Sequence, residues 1–457
     1  MKKEVKIQFL GAAGTVTGSK CLMDTSGLKI LIDCGLFQGT KAWRELNWQE
    51  PGFDVEKLDF VLLTHGHLDH VGYLPRLVKR GFTGKIYGTA PTLAITRIIL
   101  KDSAKIQEED AERANKEGFS RHHPALPLYT EEDAQNTLEY LEIQPRDHWI
   151  PLSEDITVRF RYNGHILGAT FIEMDIYGKR FVFSGDIGRP EDPLLFDPDK
   201  PDKADYIFME TTYGDRIHPD EDLREILAPI IRETIHRRGN LIIPSFAVER
   251  TQVLIYLLWK MYEKNKIPRI PVVIDSPMGK EVLQVFLQYP DWHKVSRDEF
   301  RAVLDYVEIV DSYRETWNVI DNTQPKIVIA GSGMVTGGRV LTYLKQLIDE
   351  ESTTVLLIGF QAEGTRGRDL KEGAKEIKFF GKYYPVRAKI ESLDSLSAHA
   401  DQKELLNWLS EVRGKPEKVF LVHGEPESAG VFEGKIKEMY SWDTCIPKHN
   451  DVITLWI

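Results

Sequence analysis

Three histidines and an aspartate, His65, His67, Asp69 and His70, fall within six positions at the end of the apolar run at 60–63. A continuous apolar run this short reads as a buried strand, because a helix would need ten or more residues. The four side chains leave that strand on a turn and enter the next element. Alternation along an extended turn puts His65 and His67 on one side, while Asp69 and His70 face a second point in space. A cluster of this kind suits two metal ions. Imidazole combined with carboxylate favours zinc or another borderline divalent ion over calcium or magnesium, which prefer oxygen alone.

Two later strand ends carry the same chemistry. His165 closes VRFRYNGH and Asp186 closes KRFVFSGD, and each is followed by a glycine-bearing turn. With the first cluster they supply six ligands, enough for two ions if one carboxylate is shared. Asp33 ends an earlier strand, where it is either a turn former or a carboxylate that hydrogen-bonds a ligand histidine from behind. Glu210 ends the strand YIFME, His399 precedes an amphipathic helix, and His423 ends the strand VFLVH. His122 and His123 read as loop residues before Pro124, with no carboxylate or histidine at ligand spacing.

The elements that must position these groups fall into two styles. Strands at 5–10, 20–24 and 28–33, with Thr25, Ser26 and Gly27 as a hairpin loop, form a meander. A helix at 72–80, a strand at 85–89, a solvated amphipathic helix or helix pair at 91–118, a helix at 131–141 and strands at 156–163 and 171–183 follow. From residue 222 the pattern becomes helix and strand in alternation, with continuous apolar strands at 241–246, 271–276, 326–333 and 354–360. Such strands between helices predict a small parallel sheet in a second domain. From about 389 the first style returns, so the α/β segment is an insertion. The expected fold class is α/β, divided as 1–208, an inserted 209–386, and 387–457.

Loops at 331–339 and 359–368 are rich in Gly, Ser and Thr. At the carboxyl ends of parallel strands they either permit tight turns or bring N–H groups and hydroxyls to an anion. Ser332, Thr336, Arg339, Arg366 and Arg368 favour a phosphate, although no GK[ST] signature is present.

The 457 residues exceed one comfortable core, and 42% hydrophobic with 10% aromatic content supports burial. No apolar run approaches the ~20 residues of a membrane helix, so no membrane role and a cytoplasmic location are expected. Cys21, Cys34 and Cys445 are odd in number and not in CxxC spacing, which predicts small buried apolar residues. A net charge of -11 argues against coating nucleic acid non-specifically but not against cutting it, because a local basic groove can coexist with an acidic exterior.

THGHLDH at 64–70, Asp33, GHILGA around His165 and SGDIG around Asp186 resemble the four motifs of the metallo-β-lactamase fold. METTYGD with Glu210, SAHAD with His399 and LVHGE with His423 resemble motifs A, B and C of its β-CASP branch. PSFAVERTQ at 244–252 and SGMVTGGR at 332–339 resemble the prokaryotic RNA-processing members, related to the catalytic subunit of cleavage and polyadenylation specificity factor. The resemblance implies an αββα sandwich with an inserted β-CASP domain. It also implies two zinc ions: His65, His67 and His165 on the first, Asp69, His70 and His423 on the second, Asp186 bridging, and Asp33 behind them. A histidine at motif C is similar to the RNA-acting members. Archaeal members often carry N-terminal KH domains; the first metal-domain strand begins by residue 5, so no such arm is expected.

By the same resemblance the substrate is single-stranded RNA, hydrolysed through a zinc-held hydroxide to a 5′-phosphate and a 3′-hydroxyl, with Asp69 and Asp186 at the metals and His399, paired to Glu210, as proton donor. Endonuclease and 5′-3′ exonuclease modes both fit, and a homodimer is compatible with the sequence. A small ester or thioester hydrolase is the rival, since the same fold serves both; the inserted domain, superfluous for such a substrate, weighs against it. A scaffold without catalysis would have lost ligands, and none is missing.

Overall fold

A computed structural model describes residues 2–457 apart from 26, 119–121, 220, 247, 360 and 394–395. Ser26 of the expected hairpin loop, Ala247 and Phe360 of the second-domain motifs, and Asp394 and Ser395 lie outside the described residues. Two compact units emerge, one of Met1–Ile217 with His399–Ile457, the other of His218–Ala398. The boundaries read from sequence, after 208 and 386, fall earlier than these. The turn after Tyr206–Glu210 is tied into the first unit by Thr211 N–H donating to His423 O at 3.1 Å. Lys389–Leu393 pairs in parallel with Thr354–Ile358, so it belongs to the second unit.

The first unit follows from period-two alternation. Val5, Ile7 and Phe9 of Glu4–Phe9 share one core with Ile172 and Met174 of Thr170–Ile176, Phe208 of Tyr206–Glu210 and Phe420 of Lys418–Val422. The Phe9 ring lies 6.0 Å from Phe208 and 5.5 Å from Phe420, across two sheets. Each sheet has seven strands among the described residues. One runs Val452–Trp456, Glu4–Phe9, Cys21–Thr25, Lys29–Ile32, Phe60–Leu62, Lys85–Gly88 and Leu141–Ile143. The other runs Thr444–Cys445, Lys418–Val422, Tyr206–Glu210, Lys179–Phe183, Thr170–Ile176, Ile156–Tyr162 and Ile150–Pro151.

On the outer face of the second sheet, Leu405, Trp408 and Leu409 of Gln402–Leu409 and Phe432 and Ile436 of Pro426–Tyr440 cover Ile207, Met209, Val419 and Leu421. Each such fully buried side chain contributes roughly 1.5–3 kcal/mol. Asp401 starts the first of these helices in a capping box with Glu404, which fixes where the chain turns after His399.

The segment expected to be a solvated helix is one 28-residue helix, Ala90–Glu117. Its first half is buried through Leu93, Ile95, Ile98, Ile99 and Leu100, and only the second half is solvated. Cys34 is buried and Cys21 and Cys445 partly so, all three as free thiols; burial pushes Cys34 up to about 12, so it is unreactive near neutral pH. Among the described residues no helix is long and apolar enough to cross a membrane.

The second unit holds a parallel sheet in the order Glu308–Val310, Val272–Asp275, Ile327–Ala330, Leu241–Pro244, Thr354–Ile358 and Lys389–Leu393. Its inner strands are continuous in Val, Ile and Leu because both faces are covered.

One glycine decides how the first unit presents its histidine turn. A Cβ on Gly35 would lie 1.5 Å from Asp69 O and 2.7 Å from His70 N, all backbone atoms. Close approach is used on either side of it, with Cys34 N–H donating to His70 O at 2.7 Å and Ser19 N–H to Asp69 O at 2.8 Å. Gly35→Ala is therefore expected to cost about 2 kcal/mol or more and to weaken metal retention, read from the denaturant midpoint and metal content. An unchanged midpoint would show that the turn yields freely.

Candidate functional site

The site collects where strands end. Lys29–Ile32 delivers Asp33, Phe60–Leu62 delivers the His65 turn, Ile156–Tyr162 delivers His165, Lys179–Phe183 delivers Asp186, and Lys418–Val422 delivers His423. His67 caps the short helix Leu68–Val71, its carbonyl accepting from His70 N–H at 2.9 Å, and this turn brings the His70 ring to 4.0 Å from that of His65.

Two groups of donors result, although Asp69 and His70 reach theirs from a helical turn and not from an extended one. In the first, His65 Nε2 and His165 Nε2 lie 3.1 and 3.2 Å from His67 Nδ1. In the second, His70 Nε2 lies 3.3 Å from His423 Nε2, and Asp69 Oδ2 lies 3.5 Å from that same His423 nitrogen. Asp186 joins them. Its Oδ2 is 3.5 Å from His65 Nε2 and 3.6 Å from His165 Nε2, and its Oδ1 is 3.4 Å from His70 Nε2.

Asp33 supports this from behind. It accepts from Thr64 N–H and Oγ1 and from the His70 Nδ1–H, each at 2.8 Å, which aims His70 Nε2 into the cluster. Sequence reading did not single out three further supports. Thr64 Oγ1 also meets His65 Nδ1 at 3.0 Å, and Thr212 Oγ1 meets His423 Nδ1 at 3.0 Å. Asn163 donates to Ser184 O and Asp186 O at 3.0 and 2.6 Å, locking the His165 turn to the Asp186 turn. The signal for Asn163 was its place two residues before a strand-end histidine.

The donor set fits divalent metal. Neighbouring imidazole nitrogens approach one another within 3.1–3.3 Å, and the buried Asp186 Oδ1 has no hydrogen-bond partner; a central cation relieves both. Burial lowers His65 well below its ordinary range and brings His67 to about 4, leaving neutral rings ready to ligate. Burial opposes charge on His70 too, but Asp186 and Asp33 outweigh it and raise His70 well above the usual imidazole range. Burial likewise disfavours an ionised Asp186, yet His423, His70 and His65 hold it well below the usual carboxylate range.

Beside this cluster, His399 Nδ1 lies 3.1 Å from Glu210 Oε2 and its Nε2 3.9 Å from Asp186 Oδ2. Glu210 is fully buried and its other oxygen accepts from Ile187 N–H. The His399 ring stands 4.5 Å from that of His165.

The metallo-beta-lactamase superfamily model matches residues 21–222, the Beta-Casp domain 251–370, and the Zn-dependent metallo-hydrolase RNA specificity domain 383–447. Ribonuclease TTHA0252 of Thermus thermophilus is 35% identical over 436 residues, covering 93% of this chain and 94% of that protein. The chain belongs to the β-CASP branch of the metallo-β-lactamase superfamily. Transcription termination factor FttA of Methanocaldococcus jannaschii is 30% identical over 98% of this chain and 71% of its own length. A solved protein of unknown function from Enterococcus faecalis V583, 13% identical with a TM-score of 0.54 over 99% of this chain and 100% of that one, shares the fold. As a member of this superfamily the chain is a metal-dependent hydrolase.

In the β-CASP unit the loop arginines differ from expectation. Arg339 Nη1 donates to Asp275 Oδ1 at 2.7 Å and Thr316 Oγ1 at 3.0 Å, and its Nη2 to Asp311 O at 2.6 Å. Arg366 donates to Lys378 O at 2.7 Å and to Val335 O and Thr336 O at 3.3 and 3.2 Å. Arg368 pairs with Glu372 one turn on, at 2.5 Å. Ser332 and Thr336 bond each other at 2.9 Å. The Arg339 and Arg366 guanidiniums are taken up in tying the loops to their own unit, while Arg368 remains exposed on its helix. Asp275, fully buried at the end of Val272–Asp275, is the reason Arg339 is drawn inward.

Arg339→Ala leaves that carboxylate buried without its cation, and a loss of about 3–5 kcal/mol is expected, whereas Arg368→Ala at an exposed pair costs under about 1 kcal/mol. Denaturant titration of the two variants checks this. An Arg339→Ala protein with the parent's midpoint and weakened RNA binding would return the guanidinium to the phosphate role.

Proposed function

We propose that this chain is a zinc-dependent ribonuclease that hydrolyses phosphodiester bonds of single-stranded RNA in RNA processing or decay, leaving a 5′-phosphate and a 3′-hydroxyl. The observation that carries it is the pairing of His399 with a buried Glu210 at the edge of two donor groups that share Asp186. The names printed for the relatives, a ribonuclease and a transcription termination factor, support RNA as the substrate.

One ion would be held by His65, His67 and His165, the other by Asp69, His70 and His423, with Asp186 shared. Zinc so bound would neutralise phosphoryl oxygens as a Lewis acid and lower the pKa of its water. The rest belongs to the chain. The Glu210 carboxylate accepts the His399 Nδ1–H, which fixes the ring and leaves Nε2 as the atom facing substrate. A proton passes from Nε2 to the leaving 3′ oxygen as its bond to phosphorus breaks and the water oxygen takes its place. Asp33, Thr64 and Thr212 hold the imidazoles from behind so that they do not reorganise during the reaction.

Metal-replete protein is expected to hold about two zinc ions per chain, falling to about one in Asp69→Ala or His423→Ala. One ion in the parent, unchanged in both variants, would sink the two-metal assignment.

His399→Ala should lower RNA turnover by roughly 10²-fold to 10⁴-fold with zinc retained. A nitrophenyl phosphodiester, whose leaving group needs little protonation, should be cut almost as fast as by the parent. Equal losses on both substrates, or loss of zinc, would make His399 a ligand or a structural residue. A parent that hydrolyses a lactone or thioester but no RNA would replace this reading with the small-ester one.

A further inference from the structure

The chain is acidic overall, but residues 371–389 of the second unit carry six basic residues against two acidic ones. Within this stretch Glu376–Phe379 and Lys382–Pro385 form an antiparallel hairpin. Phe379 pairs with Lys382, so Phe380 and Gly381 are its two-residue turn, with φ of 47° and 81°. Positive φ at both central residues is the type I′ turn, which asparagine followed by glycine fits best. A phenylalanine there is held against its backbone preference, and the residue is 50% exposed.

Alternation sends Ile377 and Phe379 down into the core of the unit, which anchors the hairpin. Arg366 adds a second tie by donating to Lys378 O. On the opposite face Tyr383, 63% exposed, stands directly across from Lys378, whose Nζ is 5.5 Å from the Tyr383 ring centre. Lys345 Nζ reaches to 5.9 Å from the Phe380 ring. Lys345, Lys375, Lys378 and Lys382 make no ion pair among the described residues.

We propose that the Glu376–Pro385 hairpin is a platform on which unpaired bases of a single-stranded nucleic acid stack. The proposal rests on the ribonuclease reading and gives its substrate a place to bind. Each exposed ring comes with its own ammonium. A ring takes the face of a base, and an ammonium beside it takes the adjoining phosphate, which is the pair of contacts one nucleotide requires. A polyanion is the partner that matches four unpaired lysines on an otherwise acidic protein. The rigid underside means that little ordering is lost on binding.

The test uses full-length zinc-loaded protein and a labelled single-stranded phosphorothioate RNA, beside an abasic oligomer of the same length, in fluorescence anisotropy. Phe380→Asn installs the residue the turn prefers, so its thermal midpoint should equal or exceed the parent's while RNA affinity falls. Tyr383→Thr keeps a strand former on an exposed face. Each is expected to weaken RNA binding by about fivefold to about a hundredfold, and the double variant should no longer prefer RNA over the abasic strand. Lys378→Gln should flatten the slope of log affinity against log salt by about 0.7. Hydrolysis of the nitrophenyl diester should be unchanged in all of them. If the parent binds and cuts RNA and these variants bind it equally well, the platform is overturned and the ribonuclease reading stands; a protein partner would then be the surface's use. If the parent neither binds nor cuts single-stranded RNA, the ribonuclease reading falls and the platform falls with it.

Discussion

The Asp186 carboxylate is buried, with His65 and His165 nitrogens at 3.5 and 3.6 Å from one oxygen and His70 at 3.4 Å from the other. Each ionised group taken out of water costs several kcal/mol unless it is compensated. Here compensation is shared: one carboxylate serves two groups of imidazoles, so the two donor sets cannot be moved independently. That constraint reaches into the scaffold. Asp33 ties its own strand end to the 64–70 turn through Thr64 and His70, and Asn163 ties the His165 turn to the Asp186 turn through Ser184 O and Asp186 O, both from buried positions.

Sheets packed face to face supply the necessary stiffness. Phe9, Phe208 and Phe420 join the two sheets a short distance below the strand ends that carry the histidines. Core packing at organic-crystal density transmits small shifts, and Gly35 shows how little room remains, with the Asp69 carbonyl occupying the space a side chain would need. His399 and Glu210 arise from the same logic applied to a later pair of segments. Glu210 ends a fully buried strand, and Asp401 caps the helix that follows His399. The His399 ring is thereby held on a buried carboxylate at a strand end.

Much of this was legible in the chain itself. Short strands followed within three residues by His, Asp or Glu mark this edge of the first unit, and His65, His165, Asp186 and His423 all lie just past such a strand, with Glu210 as the last residue of its own. Thr64, Thr212 and Asn163 escaped notice because a threonine or asparagine in a turn looks like any other until its partner is known. Lys389–Leu393 reads from sequence as part of the first unit, because an edge strand of mixed polarity carries little periodic signal, whereas it pairs with Thr354–Ile358 in the second. Arg339 departs from the sequence reading for a different reason. A glycine-rich loop with cations reads as an anion site, but the carboxylate that claims Arg339 lies 64 residues earlier in the chain, at a distance no local pattern reports.

The central claim is that two metal ions sit in the donor groups joined by Asp186. Anomalous diffraction from zinc-loaded crystals, collected on both sides of the zinc edge, addresses it directly. The account predicts two peaks, about 3.5–4 Å apart, one among His65, His67 and His165 and the other among Asp69, His70 and His423, with Asp186 touching both. A single peak, or peaks that leave Asp186 uncoordinated, would contradict it.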